Sequence, residues 1–105
     1  MYFVIVAKDV PGAETQERRL AARPEHMDGL RRLRMEDRMI DGGAILDDAG
    51  RLVGSVLLCE FPDRAALDAY LAEEPFARER VWQDVSVYPI RRVDWDALLR
   101  SAPAS

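Results

Sequence analysis

Two continuous apolar runs rich in β-forming side chains constrain the fold of this 105-residue chain more than any other feature. Residues 2–7 read Tyr-Phe-Val-Ile-Val-Ala, and residues 56–59 read Val-Leu-Leu-Cys. Runs of this kind, without alternating polar side chains, are typical of strands that are covered on both faces. The rest of the chain, or a second molecule, must therefore supply cover for both sides of a sheet.

Proline and glycine divide the first half of the chain into elements. Pro24 predicts the first turn of a helix that continues to about Arg38, and residues 13–22 predict at most one loose turn before it. Asp-Gly-Gly at 41–43 ends this helix, and residues 44–46 begin a short second strand.

The second half repeats the alternation of strand and helix. The Asp-Asp-Ala-Gly turn at 47–50 leads into a third strand over 52–61. A helix that opens at Pro62-Asp63 ends before Pro75, and residues 76–82 predict a further short helical turn. Residues 85–90 predict the last strand, and its proline favours an edge or a bulge.

The order β-α-β-β-α-β predicts an α+β, ferredoxin-like domain over residues 1–95, with a C-terminal tail over 96–105. Strand one is expected at the centre of an antiparallel sheet, next to strands three and four, with both helices on one face. Two helices cover only one face, so Phe3, Ile5, Leu57 or their neighbours would form an exposed apolar patch on the other. A second copy packed sheet to sheet solves this problem, and the sequence predicts a homodimer.

Composition excludes several other classes of protein. The formal net charge of −4 argues against a nucleic-acid partner, which needs a basic stripe. The sequence shows neither a signal peptide nor an apolar run long enough for a membrane span, so we expect a cytoplasmic protein. The single cysteine, Cys59, is expected to be a small core residue. One His and one Cys do not make a zinc site, and no metal or organic cofactor is expected.

The only histidine, His26, is the first candidate for proton chemistry, because histidine changes charge near neutral pH without being perturbed. Its position after Pro24 places it near the N-terminus of the predicted helix. On a helical wheel it lies on the same side as Leu30 and Leu33, so it is expected to face the sheet. A histidine in that position is either a core residue bonded to the backbone or one half of a functional pair.

The acids Glu73 and Glu74 lie at the C-terminal end of the second predicted helix, where their charge opposes the helix dipole. This unfavourable placement indicates that one of them has a partner. A carboxylate beside an imidazole fixes its tautomer and suits it to general acid or base catalysis. Spacing alone does not pair Glu74 with His26.

Two further polar residues are candidates for substrate binding. Arg23 is expected either to hold an anionic group or to be a surface cation. Ser55 interrupts an apolar strand and either donates into a pocket or is satisfied by the backbone. Trp82 and Trp95 are expected to be packing residues.

Four segments of the chain resemble the YCII-related family. They are Arg-Pro-Glu-His-Met at 23–27, Gly-Gly-Ala-Ile-Leu-Asp-Asp-Ala-Gly at 42–50, Val-Gly-Ser at 53–55 and Glu-Pro-Phe-Ala at 74–77. Their order and spacing together extend the resemblance from Met1 to about Val93.

The resemblance implies a ferredoxin-like fold that forms a dimeric α+β barrel with a His–carboxylate pair in a pocket. The family's histidine corresponds to His26 and its aspartate to Glu74, which is one methylene longer. One branch of the family is similar to a dehydrochlorinase of a chlorinated hydroxyhydroquinone. The leading hypothesis is therefore a cofactor-independent enzyme that eliminates or isomerises a small anionic or phenolic substrate; the alternative is a dimeric metabolite-binding or assembly module. A pocket that reaches both side chains from solvent would favour the enzyme.

Overall fold

The apolar runs lie side by side in one four-stranded antiparallel sheet. The computed structural model describes residues 1–101, and its strands are β1 (Tyr2–Asp9), β2 (Met39–Leu46), β3 (Leu52–Glu60) and β4 (Trp82–Ile90). The order across the sheet is β2-β3-β1-β4, and all neighbours are antiparallel. Strand β1 is therefore central, between β3 and β4, as the sequence predicts.

The helices that complete the domain pack on one face of this sheet. They are α1 (Ala13–Met35), α2 (Arg64–Glu73) and α3 (Pro75–Arg78), and a further helix, α4 (Trp95–Arg100), follows β4. Alternate side chains of β1 turn towards the helices and are buried, including Phe3 and Ile5. This is the α+β, ferredoxin-like arrangement that the sequence predicts.

Helix α1 begins eleven residues earlier than the sequence predicts. Pro24 lies inside it, and His26 lies in its second half rather than near its N-terminus, so that prediction was wrong. A proline at position 24 removes the hydrogen bond to the carbonyl group of Leu20. Both residues are on the exposed side of the helix, where water replaces the lost donor. A proline on the solvent side is therefore compatible with a helix whose other side is packed.

Strands β2 and β4 are also longer than predicted. Strand β2 begins at Met39 instead of residue 44, because Gly42 and Gly43 are paired with β3 instead of forming a turn. Strand β4 begins at Trp82, so the predicted helical turn over 76–82 is confined to α3. Pro89 lies in an edge strand, where its missing N–H costs no ladder bond.

The face of the sheet opposite the helices, called here the open face, is not covered by any element within residues 1–101. Its apolar side chains are half-buried or exposed: Tyr2, Val4, Val6, Val56, Leu58, Tyr88 and Ile90. The sequence predicts Phe3, Ile5, Leu57 or their neighbours on this face. The three residues themselves are buried under the helices, and the neighbours form the patch, because side chains alternate across a strand.

Helix α4 contains no buried residue. Because α4 spans Trp95–Arg100, the tail predicted over 96–105 begins inside this helix. The last four residues of the tail lie outside the described part of the chain. Within residues 1–101 no helix has both the length and the apolar character needed to cross a bilayer.

Gly54 provides a test of the packing between β1 and β3. A Cβ atom at this position would lie 2.5 Å from the carbonyl oxygen of Ala7. We expect Gly54→Ala to lower the free energy of unfolding by roughly 2–3 kcal/mol, measured by urea denaturation, because the two strands must separate. Gly29→Ala is the control: its Cβ would meet no atom within 4 Å. This helical substitution should raise stability by about 0.5–1 kcal/mol. Equal stabilities of the two variants would contradict the strand register.

The reactivity of the Cys59 thiol tests whether this residue lies in the core. Its side chain has no exposed surface, and burial raises the pKa of the thiol to about 11. The reactive thiolate is therefore scarce and inaccessible in the folded protein. We expect no alkylation by iodoacetamide at about pH 8 until the protein is denatured, as followed by mass spectrometry. Rapid alkylation of protein that keeps its native circular dichroism would show that Cys59 is not a core residue.

Candidate active site

The buried stripe of α1 brings His26 to the sheet. Its members are Thr15, Arg19, Ala22, His26 and Leu33, at the three-, four- and seven-residue spacings of one helix face. The His26 side chain is 7% exposed. It therefore faces inward, as its predicted wheel position indicates, although the helix around it is longer than predicted.

Glu74 occupies the junction between α2 and α3. Pro75 disfavours helical geometry at the preceding residue, and the Glu74 backbone is extended, with φ −64° and ψ 125°. The side chain caps α3, because its Oε1 accepts a hydrogen bond from the backbone N–H of Phe76 at 3.1 Å. The same oxygen lies 2.5 Å from Nδ1 of His26. The structure thus brings together two residues that are 48 positions apart.

The second carboxylate oxygen of Glu74 is held by Tyr70. The phenol O–H donates a hydrogen bond to Oε2 at 2.9 Å. Burial raises the pKa of Tyr70 above its ordinary value, and the adjacent Glu74 charge raises it further. The phenol therefore stays protonated and remains a donor at neutral pH. Glu74, which is 2% exposed, has partners on both oxygens.

These contacts orient the His26 ring. The Glu74 carboxylate is an acceptor, so Nδ1 carries the proton and the neutral ring has its lone pair on Nε2. The ring of Phe76 stacks on the imidazole, with centroids 3.8 Å apart and planes 11° from parallel. Nε2 has no hydrogen-bond partner within residues 1–101. In that range every fully buried side-chain nitrogen or oxygen atom does have a partner, so Nε2 is not fully buried. Nε2 therefore keeps access to open space. We call His26 and Glu74 the dyad.

A cavity of about 320 Å³, called here the dyad cavity, lies beside His26. Its wall is largely apolar and includes Met27, Leu30 and Leu57. Glu74 does not line this cavity. It lines a second one of about 300 Å³, together with Tyr70. The pocket expected to reach both members of the dyad thus reaches only the histidine, with the carboxylate behind it.

Both predicted substrate-binding residues line the dyad cavity. Arg23 lies three residues before His26 and is exposed at the edge of the cavity. Ser55 is buried, and its Oγ accepts a hydrogen bond from the indole Nε1–H of Trp82 at 3.3 Å. The partner of Ser55 is thus a side chain and not the backbone. Trp82 is a packing residue, as predicted, with its ring edge towards His26.

Sequence reasoning missed Arg19, which also lines the cavity. Its guanidinium group forms two 3.0 Å hydrogen bonds with the Asp9 carboxylate and donates to the Gly54 carbonyl at 3.2 Å. It also lies 4.8 Å from the ring centroid of Phe76. The signal was the seven-residue spacing from Arg19 to His26. It was overlooked because the helix was predicted to begin at Pro24.

Metal-binding side chains are not clustered in the described part of the chain. Within residues 1–101 no three His, Cys, Asp or Glu side chains are placed to hold a metal ion. The polar groups at the site are the imidazole, the carboxylate behind it and the side chains of Arg19, Arg23 and Ser55 in the cavity wall.

The dyad contact is tested by Glu74→Gln. We expect this change to mix the two neutral tautomers of His26, because an amide has both a donor and an acceptor where the carboxylate has only acceptors. It should also lower the free energy of unfolding by about 1–3 kcal/mol. The tautomer is read from the ¹⁵N chemical shifts of the ring, and the chain has only one histidine. Glu73→Gln, at the exposed neighbour, is the matched control. Unchanged ring shifts in Glu74→Gln would contradict the contact.

Known proteins resemble this chain over most of its length. Residues 1–91 match the YCII-related domain. An uncharacterised protein of Haemophilus influenzae is 36% identical over 100 residues, covering 89% of this chain and 99% of the relative. Protein YciI of Escherichia coli is 32% identical over 99 residues, with the same coverage.

A solved structure shares the fold. It is the 5-chloro-2-hydroxyhydroquinone dehydrochlorinase of Burkholderia phenoliruptrix in complex with 2,5-dihydroxybenzoquinone, with a TM-score of 0.78 and 23% identity over 90% of this chain and 98% of that chain. At this identity the likeness concerns the fold alone. The domain match and the two relatives show that the chain belongs to the YCII-related family.

Proposed function

We propose that this protein is a small-molecule enzyme in which the dyad transfers a proton on a substrate held in the dyad cavity, without a metal or an organic cofactor. The observation that supports this function is the 2.5 Å contact between Nδ1 of His26 and Glu74, which leaves Nε2 directed at accessible space. An imidazole held in this way combines a basic nitrogen with a carboxylate that stabilises the charged ring.

The proposed chemistry is an elimination or an isomerisation. Nε2 of His26 takes a proton from a carbon or hydroxyl group of the substrate, and the electron pair left behind forms a double bond. In an elimination the electrons displace a leaving group as an anion; in an isomerisation the imidazolium returns the proton to another atom of the substrate. Glu74 stays ionised and stabilises the positive ring between the two steps.

The walls of the cavity favour a small planar substrate with a negative or phenolic group. The volume of about 320 Å³ is at the lower end of the range for small-molecule sites. Met27, Leu30 and Leu57 supply apolar contact, and Arg23 supplies a positive charge at the edge. The Oγ of Ser55 accepts from Trp82, so its own O–H is available to a substrate oxygen. The complex of the dehydrochlorinase with 2,5-dihydroxybenzoquinone supports a ligand of this class.

We propose further that the protein acts as a homodimer with the open faces of two copies in contact. The apolar side chains on this face are not covered within the described residues, and soluble monomers rarely expose such a patch. The cytoplasmic location and the absence of a nucleic-acid partner stay predictions from the sequence.

The test uses 2,5-dihydroxybenzoquinone as ligand and 5-chloro-2-hydroxyhydroquinone as substrate, with chloride release as the readout. Replacing the base should lower the rate by about 10²- to 10⁴-fold, so we expect His26→Gln to lose activity while the ligand still binds. Glu74→Gln should lower the rate in the same direction, and Glu73→Gln should leave it unchanged.

The alternative function, a metabolite-binding module, predicts a different result. Tight binding of the quinone that is equal in wild type and His26→Gln, with no turnover of any halogenated or isomerisable hydroquinone, would contradict the enzyme and favour that module.

A further inference from the structure

Helix α4 is an apolar element that buries none of its side chains against the rest of residues 1–101. Val93, Trp95, Leu98 and Leu99 have between 52% and 78% of their surface exposed, and no residue of the helix is buried. The helix has its own N-cap, since the side chain of Asp94 accepts from the backbone N–H of Ala97 at 3.0 Å. A helix of six residues is marginal in water without packing against another surface. The exposed apolar side chains are where that packing is expected.

The segment that leads to α4 leaves the domain on the side of the open face. Residues 91–94 connect it to edge strand β4, and the guanidinium carbon of Arg92 lies 5.2 Å from the ring centroid of Tyr2, which belongs to the open face. The molecule measures 55 × 33 × 22 Å, and its radius of gyration of 16.0 Å exceeds the roughly 13 Å expected for a compact chain of this length. This elongation, together with the lack of any buried residue in α4, indicates that the helix extends away from the packed part of its own chain.

This arm, residues 91–101, also lies at the end of the family match. The YCII-related domain covers residues 1–91, and 89% of this chain accounts for 99% of the relative from Haemophilus influenzae. The arm thus lies, apart from Arg91, beyond the residues that match the family model.

Area and charge favour a second copy of the chain as its partner. Four strands of about eight residues give the open face a projected area of roughly 500 Å², and a stable interface takes about 800 Å² of accessible surface from each partner. The arm adds apolar surface that the sheet alone lacks. The arm carries three arginines and two aspartates, so positive charges are in excess. The open face carries three carboxylates and one cation, so negative charges are in excess: Asp41, Glu60, Asp84 and Lys8. The charges of the arm and of the open face are therefore complementary.

We propose that α4 packs against a second copy of this chain, at the rim of the interface between the two open faces. The inference rests on the proposed homodimer and is independent of the proposed catalysis. In a two-fold symmetric pair both arms are placed identically, so each copy both gives and receives an arm and the contact closes on itself. A single partner surface then covers the open face and the apolar side of α4.

The first experiment compares the full chain with a chain that ends at Asp94, using sedimentation equilibrium over a range of concentrations. We expect the shortened chain to dissociate at a concentration at least about tenfold higher. The double variant Leu98→Ser with Leu99→Ser should behave like the shortened chain, and Ser101→Ala should behave like the full chain. Since α4 contains no buried residue, the shortened domain should keep its circular dichroism.

The possible outcomes distinguish the role of α4 from the existence of the homodimer. Equal dissociation constants for the full and shortened chains would overturn the role of α4 and leave the homodimer standing. A full chain that is monomeric at micromolar concentration would overturn both, without bearing on the dyad.

Trp95 fluorescence, measured as the difference from Trp95→Phe, gives an independent readout. Emission that moves to the red on dilution supports packing on a second copy. Blue emission from a sample that sedimentation shows to be monomeric would show that α4 packs on its own chain, and would overturn the proposal.

Discussion

The buried carboxylate of Glu74 is the interaction on which the candidate site depends. Its two oxygens collect three donors from different parts of the chain: the ring of His26, the phenol of Tyr70 and the backbone N–H of Phe76. A carboxylate that is 2% exposed is costly unless each oxygen is satisfied. The positions of α1, α2 and α3 are therefore matched to one another through this group, and its desolvation is offset only when all three are in place.

A second buried charge fixes the other end of α1. Arg19 is held by the Asp9 carboxylate at the end of β1 and by the carbonyl group of Gly54 in β3. Arg19 and His26 lie two turns apart on the same helix face, so α1 is attached to the sheet at one point and to the α2–α3 junction at another. Removing either partner of such a buried pair leaves an unpaired charge, which costs about 3–5 kcal/mol. The dyad cavity lies along α1 from Arg19 to Leu30 and is lined by both attached residues.

The sequence predicts the architecture well, because β-forming runs, turns and the order of elements are local signals. The extent of α1 was not predictable in the same way: Pro24 normally begins a helix, and only the packing of the opposite side shows that this one tolerates it. The inward direction of His26 follows from helical periodicity. Its contact with Glu74 does not, since no local rule joins residues 48 positions apart, and it came from the family resemblance. Tyr70 was missed although it lies four residues before Glu74, the spacing at which side chains meet on one face of a helix.

Phe76 gives the site a property that neither member of the dyad has alone. Its backbone N–H holds the carboxylate of Glu74, and its ring covers one side of the His26 imidazole. The carboxylate of Glu74 and the imidazole of His26 are therefore both held by one residue of the four-residue helix α3. Their energetic contributions are not separable, and substitutions at these three positions will combine non-additively. The three positions therefore act as one energetic unit, and the cost of a substitution at one of them depends on which side chains stand at the other two.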